Sequence, residues 1–316
     1  MRVLVTGAAG LVGYAVAALL VEYGHEVTGL TRSPASVLPT GVQRLQGDLR
    51  TPQTLPTALA EVDGVCHLAG LTKVRESRTN PVDYWRTNVG GTLAILDRFA
   101  GARAGRVVLA STCAVYGEQA EQPISETAPV SPSSPYGTSK LAVDQAAADL
   151  AATGAIGAIS LRAVNVAGAL PGHPDRDTTR LIPQLLAVQQ GQAPELVVNG
   201  DGTAVRDFVH VADMATAFVL ALHACQPGHW RAYNVGSGHP STVHDVIATT
   251  ETVTGRPVPR RHAATAHEPA TLWADSTRIW SELGWRPHKS SLTEIITDAW
   301  TALNSDESPA DYSIPE

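Results

Sequence analysis

The chain has 316 residues, of which 44% are hydrophobic and 17% charged, so it can bury the core of one large domain or of two closely packed ones. Its formal charge of −7 and the lack of any lysine or arginine run argue against nucleic acid as a partner. We expect no membrane association, because no segment is long and apolar enough to span a bilayer and the first residues carry no signal-peptide pattern.

The cysteines and histidines give no indication of a metal site. Cys66, Cys113 and Cys225 are odd in number and far apart, and none belongs to a Cys-x-x-Cys pair. The eleven histidines show no ligand spacing such as His-Glu-x-x-His. We therefore expect no metal and a reducing, cytoplasmic location.

Short apolar or β-branched segments alternate with helical patterns along the first half of the chain. This alternation is typical of β-α-β units and predicts an α/β fold with a Rossmann-type, doubly wound parallel sheet. Apolar residues recur at helical spacing between the first two strands up to Tyr23, and Gly24 then provides a C-terminal stop. The strand candidates are residues 3–5, 26–30, 42–45, 64–68, 107–110 and 158–161.

After Arg162 the alternation gives way to connections that contain proline and glycine. We expect a dinucleotide-binding Rossmann domain over residues 1–164, with later segments returning to it near 206–238, and a smaller C-terminal substrate-binding lobe over 165–303. Substrate would then lie between this lobe and the carboxyl ends of the strands. The acidic, aperiodic residues 304–316 are expected to be disordered. Helical patterns occur near 181–191, 211–224 and 242–254.

Residues 7–13, Gly-Ala-Ala-Gly-Leu-Val-Gly, stand where an apolar strand passes into an amphipathic helix. Glycines there permit a tight turn and the close approach of backbone N–H groups to a pyrophosphate, and the helix N-terminus attracts the anion. A glycine-rich string alone is weak evidence, because a plain strand-to-helix turn also uses glycine. The position of residues 7–13 between an apolar strand and an amphipathic helix favours a dinucleotide-binding turn.

The end of the second strand departs from the usual dinucleotide pattern. An acidic residue normally accepts hydrogen bonds from the ribose there, whereas this chain has Thr31 and Arg32. Thr31 can still hydrogen-bond a ribose hydroxyl. Arg32 can pair with a 2′-phosphate or point into water, so the choice between NAD and NADP stays open.

Residues 133–140, Ser-Ser-Pro-Tyr-Gly-Thr-Ser-Lys, predict the start of a helix, with Ser134 as N-cap and Pro135 in the first turn. Tyr136 and Lys140 are four residues apart and project from one helix face. A nearby ammonium and an oxidised nicotinamide both favour the phenolate, so the pair suits deprotonation of an alcohol during hydride transfer. An exposed Tyr and a solvated Lys are the alternative reading. Thr112, at the carboxyl end of the preceding strand, favours the catalytic one.

With these residues the chain resembles the extended short-chain dehydrogenase/reductases of the NAD-dependent epimerase/dehydratase family, and among them nucleotide-sugar epimerases of the UDP-glucose 4-epimerase type. The similarity extends over nearly the whole chain. The matching segments, besides Thr112, Tyr136 and Lys140, are residues 6–13, 47–49, 67–71, 88–92, 161–168, 206–211, 234–238, 273–278 and 283–287.

The resemblance implies a role for each site residue. The catalytic set would be Thr112, Tyr136 and Lys140. The cofactor site would be formed by Gly7, Gly10, Leu11, Val12, Gly13, Thr31, Arg32, Asp48, Leu49, Leu68, Ala69, Gly70, Asn88, Tyr136 and Lys140. The substrate would contact Thr112, Asn165, Leu181, Arg206 and Leu272. Arg206 suits a diphosphate because a guanidinium fork matches phosphate oxygens, although a salt bridge to Asp207 or Asp213 is the alternative.

Three positions depart from related enzymes. Cys113 and Ala114 replace the acidic pair that follows the catalytic Ser or Thr in related dehydratases, which disfavours elimination of water. Residues 264–269 lack the second phosphate-binding Arg of the epimerases, for which Arg260 or Arg261 is a possible substitute. Leu272 stands where related epimerases discriminate at sugar C2, and it leaves more room than an aromatic ring.

The first hypothesis is an NAD-dependent nucleoside-diphosphate-sugar 4-epimerase that works through a 4-keto intermediate. The alternatives are an NAD(P)H-dependent reductase of a ketosugar or other ketone, favoured by Arg32, and a cofactor-sensing regulatory protein on the same fold. The resemblance also implies a homodimer, paired through the stretch after Pro81 and the helix that carries Tyr136.

Overall fold

The six segments predicted as strands all belong to one central sheet. The structure, a computed structural model, describes residues 1–51, 61–100, 105–264 and 269–305. Its strands are β1 (Arg2–Thr6), β2 (Glu26–Thr31), β3 (Gln43–Gln46), β4 (Gly64–His67), β5 (Gly105–Thr112), β6 (Ile156–Ala163), β7 (Asn165–Ala167), β8 (Leu196–Asn199), β9 (Val205–Arg206), β10 (Phe208–His210), β11 (Trp230–Val235), β12 (Ser241–Thr242), β13 (Arg260–Ala263) and β14 (Thr271–Leu272). Its helices are α1 (Leu11–Glu22), α2 (Val74–Thr79), α3 (Pro81–Tyr84), α4 (Gly91–Ala100), α5 (Pro135–Ala152), α6 (Leu181–Gln189), α7 (Val211–Ala224), α8 (Val243–Thr254), α9 (Thr277–Leu283) and α10 (Leu292–Asn304).

Seven parallel strands form the central sheet in the order β11-β6-β5-β4-β1-β2-β3. The chain passes from β1 outward to β2 and β3, then returns to place β4 on the other side of β1. The strand order therefore reverses between β1 and β4, and ligands of open α/β sheets bind at such a point. The segments that follow β1 and β4 are the glycine-rich turn and residues 68–70.

Helices cover both faces of this sheet. Helices α1 and α7 pack on one face through residues such as Leu20 and Phe218, while α4 and α5 pack on the other through residues such as Phe99 and Val143. Every residue of β6 is buried, as expected for a strand covered on both faces. The predicted Rossmann-type α/β fold is confirmed.

The C-terminal half contributes a separate apolar cluster from α6, α8 and α10, which includes Leu185, Val246 and Ile295. Beside it, β9 pairs with β12 and β14, and β8 pairs with β13. Strand β11 instead joins the central sheet next to β6. The division into residues 1–164 and 165–303 stays a prediction.

Most predicted boundaries move by one or two residues. Helix α1 ends at Glu22, and Gly24 adopts the left-handed φ of +77° expected of a C-terminal stop. The helix predicted near 181–191 ends at Gln189. Helix α10 continues to Asn304, the first residue of the predicted disordered tail, because Leu292–Asn304 carries a buried apolar face that includes Ile296 and Ala302. The rest of that prediction, residues 306–316, lies outside the described residues.

Candidate active site

The glycine-rich turn leaves room for a dinucleotide because side chains are excluded from it. Gly7 has φ +70°, and a Cβ there would lie 2.9 Å from the backbone nitrogen of Ala69. A Cβ on Gly13 would overlap the carbonyl oxygen of Gly7. Gly10 is the N-cap residue of α1 and provides no side-chain cap, so N–H groups of the first turn at Leu11 and Val12 remain available to an anion. The turn therefore fits a pyrophosphate.

The residues expected around the adenosine lie beside this turn. The N–H of Gly7 donates to the carbonyl of Leu30 at 3.2 Å, which places the end of β2 next to the glycines. Thr31 is buried and Arg32 is exposed. After β3, the carboxylate of Asp48 is held by the guanidinium of Arg50, which lowers the pKa of Asp48.

Asp48 and Leu49 have different environments. The Asp48 carboxylate is three-quarters buried, and Leu49 is buried in the core against Gly91 at the start of α4. A hydrophobic residue at this point can form one wall of an adenine pocket. The adenine role of both residues stays a prediction.

A chain of hydrogen bonds through His67 supports the nicotinamide end. Thr6 Oγ1 accepts from the N–H groups of Leu68 and Ala69, both at 3.1 Å, and lies 2.9 Å from His67 Nδ1. His67 Nε2 lies 2.9 Å from Thr92 Oγ1, which donates to the Asn88 carbonyl at 2.5 Å. Since each threonine has one proton to donate, Thr6 donates to Nδ1, and the neutral ring donates from Nε2 to Thr92.

Asn88 lies in a π-helical turn, Trp85–Gly90, between α3 and α4. Its Oδ1 accepts from the N–H of Leu71 at 2.7 Å, while its Nδ2 donates to the Leu71 carbonyl and to Ser139 Oγ, both at 3.0 Å. The side chain therefore joins the loop after β4 to helix α5. This agrees with the expectation that Asn88 supports the Lys140 end of the site.

The predicted start of α5 is confirmed by its geometry. Ser134 Oγ accepts from the N–H of Gly137 at 3.1 Å, and Pro135 occupies the first turn. Tyr136 and Lys140 are both buried, so the alternative of an exposed Tyr and a solvated Lys is wrong. Lys140 Nζ donates to the Ala110 carbonyl at 2.9 Å.

Thr112 and Tyr136 are brought together at the end of β5. Burial raises the pKa of Tyr136 above its ordinary value of 10, and the nearby Thr112 hydroxyl acts in the other direction. The positive charge that further lowers it belongs to Arg180, which precedes α6. Burial lowers the pKa of Lys140 to about 8 despite the opposing charge of Asp144. The phenol is thus protonated at neutral pH in this environment.

Three of the residues predicted to contact substrate lie on short strands of the C-terminal half. Leu272 is paired in register with Arg206 between β14 and β9, and Asn165 is paired with Phe208 between β7 and β10. Leu272 packs at the edge of a buried cluster that includes Cys113 and Val115, immediately after Thr112. These strands bring Leu272 and Arg206 close to the end of β5.

The salt bridges considered for Arg206 are not favoured. Asp207 accepts from Ser237 Oγ at 2.5 Å, and Asp213 accepts from Ser290 Oγ at 2.5 Å and from backbone N–H groups. Arg206 Nη1 donates to its neighbour's carbonyl, that of Val205, at 2.8 Å.

The other substrate residues have structural contacts as well. Leu181 begins α6 and packs against the apolar cluster of the C-terminal half. Asn165 Nδ2 donates to the Asp207 carbonyl at 3.0 Å. The possible substitutes for the missing phosphate-binding Arg are engaged elsewhere, since Arg260 pairs with Glu251 and Arg261 with Glu195. Of residues 264–269, positions 265–268 lie outside the described residues.

Sequence reasoning missed a loop that links the C-terminal half to the dinucleotide site. His173 stacks on Tyr14 of α1 with ring centroids 4.0 Å apart. The Leu170–His173 turn, with Gly172 at φ +66°, positions this ring. Farther along, Asp177 pairs with Lys73 at 3.5 Å. The Leu-Pro-Gly-His turn sequence was the available signal, but its target could not be read from the chain.

Two further findings concern the described residues. No group of three or more His, Cys, Asp or Glu side chains is arranged there to hold a metal ion. Within the same part of the chain, no helix combines the length and apolar character required to cross a bilayer.

Comparison with known proteins identifies the family to which the chain belongs. The sequence pattern of the NAD dependent epimerase/dehydratase family matches residues 3–236. The chain belongs to this family. It is 38% identical to UDP-glucose 4-epimerase of Corynebacterium glutamicum and 39% identical to that of Streptomyces lividans, in each case over 95% of both chains.

A solved structure is also closely similar. UDP-glucose 4-epimerase from Stenotrophomonas maltophilia, with bound NAD and formylated UDP-arabinopyranose, superimposes with a TM-score of 0.87 at 33% identity. The match covers 96% of this chain and 97% of the other.

The His67 chain predicts a measurable acid sensitivity. Burial lowers the pKa of His67 from 6.5 to about 3. Between these values the unfolded chain binds one proton more than the folded chain at this position, so stability is present above pH 6.5 and is lost as the pH falls toward 3. His67→Gln should reduce the slope of unfolding free energy against pH by about 1.4 kcal/mol per pH unit.

Urea unfolding monitored across this pH window would measure the slope. His229→Gln, at an exposed histidine, is measured in parallel as the matched control. Parallel curves for wild type and His67→Gln would contradict the proposed neutral state of the ring.

Proposed function

We propose that the protein is an NAD-dependent nucleoside-diphosphate-sugar 4-epimerase, with UDP-glucose or UDP-N-acetylglucosamine as the type of substrate. The observation that carries this proposal is the burial of Tyr136 and Lys140, one helical turn apart on α5, against the end of β5, where Lys140 Nζ donates to the Ala110 carbonyl. The names of the relatives support the same reaction. The glycine-rich turn at the strand-order reversal fits the dinucleotide.

NAD bound there would accept a hydride from sugar C4 and later return it to the opposite face. Tyr136 would take the proton from O4 and give it back, which is general acid–base catalysis. Thr112 would hydrogen-bond O4 and hold it at the phenol. Lys140 would bind the nicotinamide ribose. Asn88 holds the loop after β4 and the neighbouring Ser139 on α5 together, and so fixes the position of Lys140.

The pKa of Tyr136 must fall before its phenol can act as a base at neutral pH. Its burial raises the pKa of Tyr136, and the nearby Thr112 hydroxyl and the Arg180 charge act in the other direction. The positive charge of an oxidised nicotinamide would favour the phenolate further, so Tyr136 would act as a base when the cofactor is oxidised and as an acid when it is reduced.

Anchoring of the diphosphate would let the 4-keto sugar turn between the two hydride transfers. Arg206 lies on β9 directly before Asp207, whose carbonyl accepts from Asn165 Nδ2 on β7, and Leu181 would contact the base. A guanidinium is suited to phosphate oxygens. Elimination of water is disfavoured because Cys113 donates its thiol to the Arg162 carbonyl and Ala114 has no acid group.

A reductase is the second candidate, because Arg32 replaces the acidic residue that favours NAD. It would bind NADPH, deliver hydride once and release the oxidised cofactor. Retention of the cofactor over many turnovers distinguishes the two activities.

A homodimer and a cytoplasmic location are parts of the same proposal. Val82, Trp85 and Leu93, on α3, the π-helical turn and α4, are exposed to 63%, 43% and 47%. These elements pack beside α5, so an apolar surface lies next to the helix that carries Tyr136. The three cysteines are buried free thiols, as is usual in a reducing compartment.

The reaction is tested by incubating the protein as purified with UDP-glucose, without added dinucleotide, and following UDP-galactose. We expect conversion over many turnovers. Tyr136→Phe should abolish this conversion while leaving the fold and dinucleotide binding nearly intact, because the substitution removes only the phenol oxygen that transfers the proton. Thr112→Val should lower turnover less severely. Wild-type rates in Tyr136→Phe, or strict dependence on added NADPH, would contradict the mechanism.

The dimer is tested by placing a charge in the exposed apolar surface. Trp85→Glu should shift the mass measured by light scattering at micromolar concentration from dimer to monomer, because a buried unpaired carboxylate is costly. Val37→Glu, at an exposed valine outside this apolar surface, should leave the mass unchanged. A monomer mass for the wild type would refute the proposal.

Specificity at sugar C2 is proposed to depend on Leu272. Its aliphatic side chain should leave room for an N-acetyl group, and Leu272→Tyr should then selectively lower kcat/KM for the N-acetylated sugar by an amount that corresponds to about 1–3 kcal/mol. Leu272→Ala should preserve activity on both sugars. An equal loss on both sugars in Leu272→Tyr, together with a lower Tm, would show that Leu272 has only a packing role at the edge of the Cys113 cluster.

A further inference from the structure

The segment between β7 and α6 is attached to helix α1 at its beginning. Its Leu170 side chain is buried in the apolar cluster that α1 and α7 share. Three residues later, the His173 ring stacks on Tyr14, with the ring centroids 4.0 Å apart and only 12° between the ring planes. Tyr14 belongs to the beginning of α1, directly after the glycine-rich turn. This end of the segment is therefore attached to the helix whose N-terminus fits the pyrophosphate.

The other end of the segment is attached to the loop that follows β4. Asp177 Oδ1 lies 3.5 Å from Lys73 Nζ, between residues 68–70 and helix α2. Asp177 Oδ2 also lies 3.8 Å from Arg180 Nε, and Arg180 Nη1 pairs with Asp175 Oδ2 at 3.0 Å. The N–H of Asp177 donates to Asp175 Oδ1 at 3.0 Å. The ion pair with Lys73 is thus part of a network of two carboxylates and two cations.

These two attachments lie on opposite sides of the sheet edge. Helix α1 covers one face of the sheet, whereas Lys73 leads into α2, which packs beside α5 on the other face. Only residues 174–176 separate His173 from Asp177, and a chain of that length spans at most about 14 Å when fully extended. Because no longer path is open to it, the segment crosses the carboxyl edge of the sheet near β1 and β4, where the strand order reverses.

We propose that residues 170–177 form a strap that retains the bound dinucleotide, with the Tyr14–His173 stack and the Lys73–Asp177 ion pair as its two attachments. A dinucleotide held by the glycine-rich turn and by residues 68–70 lies in the crevice that the strap crosses, so the strap must open before the dinucleotide leaves. Such retention suits a reaction in which the cofactor stores a hydride and returns it. The inference rests on the proposed function only in placing NAD in this crevice.

The test measures the release of NAD from the intact protein. The protein is loaded with isotopically labelled NAD, a large excess of unlabelled NAD is added, and the label that remains bound is followed over time after rapid gel filtration. No sugar is present, so the release rate is independent of the epimerase assay. The melting temperature of every variant is measured alongside, because it reports any general loss of stability.

Substitutions at either attachment should speed the release of NAD. Asp177→Asn and His173→Ala should each raise the release rate about three- to tenfold, as expected for the loss of one partly exposed ion pair or one aromatic stack. His173→Phe keeps a ring over Tyr14 and should release NAD as slowly as the wild type. Asp63→Asn is the matched control. It removes the same charge from an ion pair with Arg2 at the opposite, amino ends of β1 and β4, and it should not alter the rate.

High salt gives a second readout that a merely structural role would not produce. The side chains of Lys73 and Asp177 are 44% and 26% exposed, so salt screens their attraction. Salt should therefore speed the release of NAD from the wild type and from His173→Ala. It should have little effect on Asp177→Asn, in which the ion pair is already lost.

Wild-type release rates in both Asp177→Asn and His173→Ala would overturn the proposal. Equally fast release from Asp63→Asn, or rates that merely follow the melting temperature across the variants, would also count against the strap. If the strap variants behave as expected and UDP-glucose is not epimerised, the strap stands and the proposed reaction is wrong.

Discussion

The hydrogen-bond chain through His67 holds together the parts of the site that the sheet alone only brings near. It joins Thr6, at the end of β1, to the backbone of residues 68 and 69 after β4, and it continues through Thr92 to the π-helical turn. Asn88 extends the connection to Ser139 on α5. Because these hydrogen bonds are connected, a change at one point disturbs the others. The glycine-rich turn and the Tyr136 helix thereby share one support.

Much of this arrangement could be predicted because it depends on local sequence. Gly7 and Gly13 mark a turn that side chains would block. Ser134 followed by Pro135 is a local signal for the start of a helix and does not depend on the rest of the chain. Parallel strands with both faces covered appear as apolar segments such as β6. Once these elements are placed, the carboxyl ends of the strands lie at one edge, and Thr112 meets Tyr136 there.

The parts that could not be predicted depend on side chains that reach across the fold. Nothing near Arg44 in the sequence indicates that its guanidinium lies on the loop after β2. The stacking of the His173 ring on Tyr14 likewise depends on how the two parts of the chain pack together. The π-helical turn around Asn88 has no sequence pattern comparable to a capping residue. Helix α10 extends as far as Asn304 because its apolar face outweighs the polar residues at its end.

The charge of Lys140 depends on a buried ion pair one helical turn away. Burial lowers the pKa of Lys140 to about 8, and the negative charge of Asp144 limits this decrease. Asp144 is itself buried, which raises its pKa, and the charge of Arg162, paired with it at 3.0 Å, acts in the other direction. Arg162 also donates to the Tyr116 hydroxyl at 3.0 Å. If Arg162 were lost, Asp144 would tend to take up a proton, and the Lys140 ammonium that binds the cofactor ribose in the proposed mechanism would lose the negative charge that favours it.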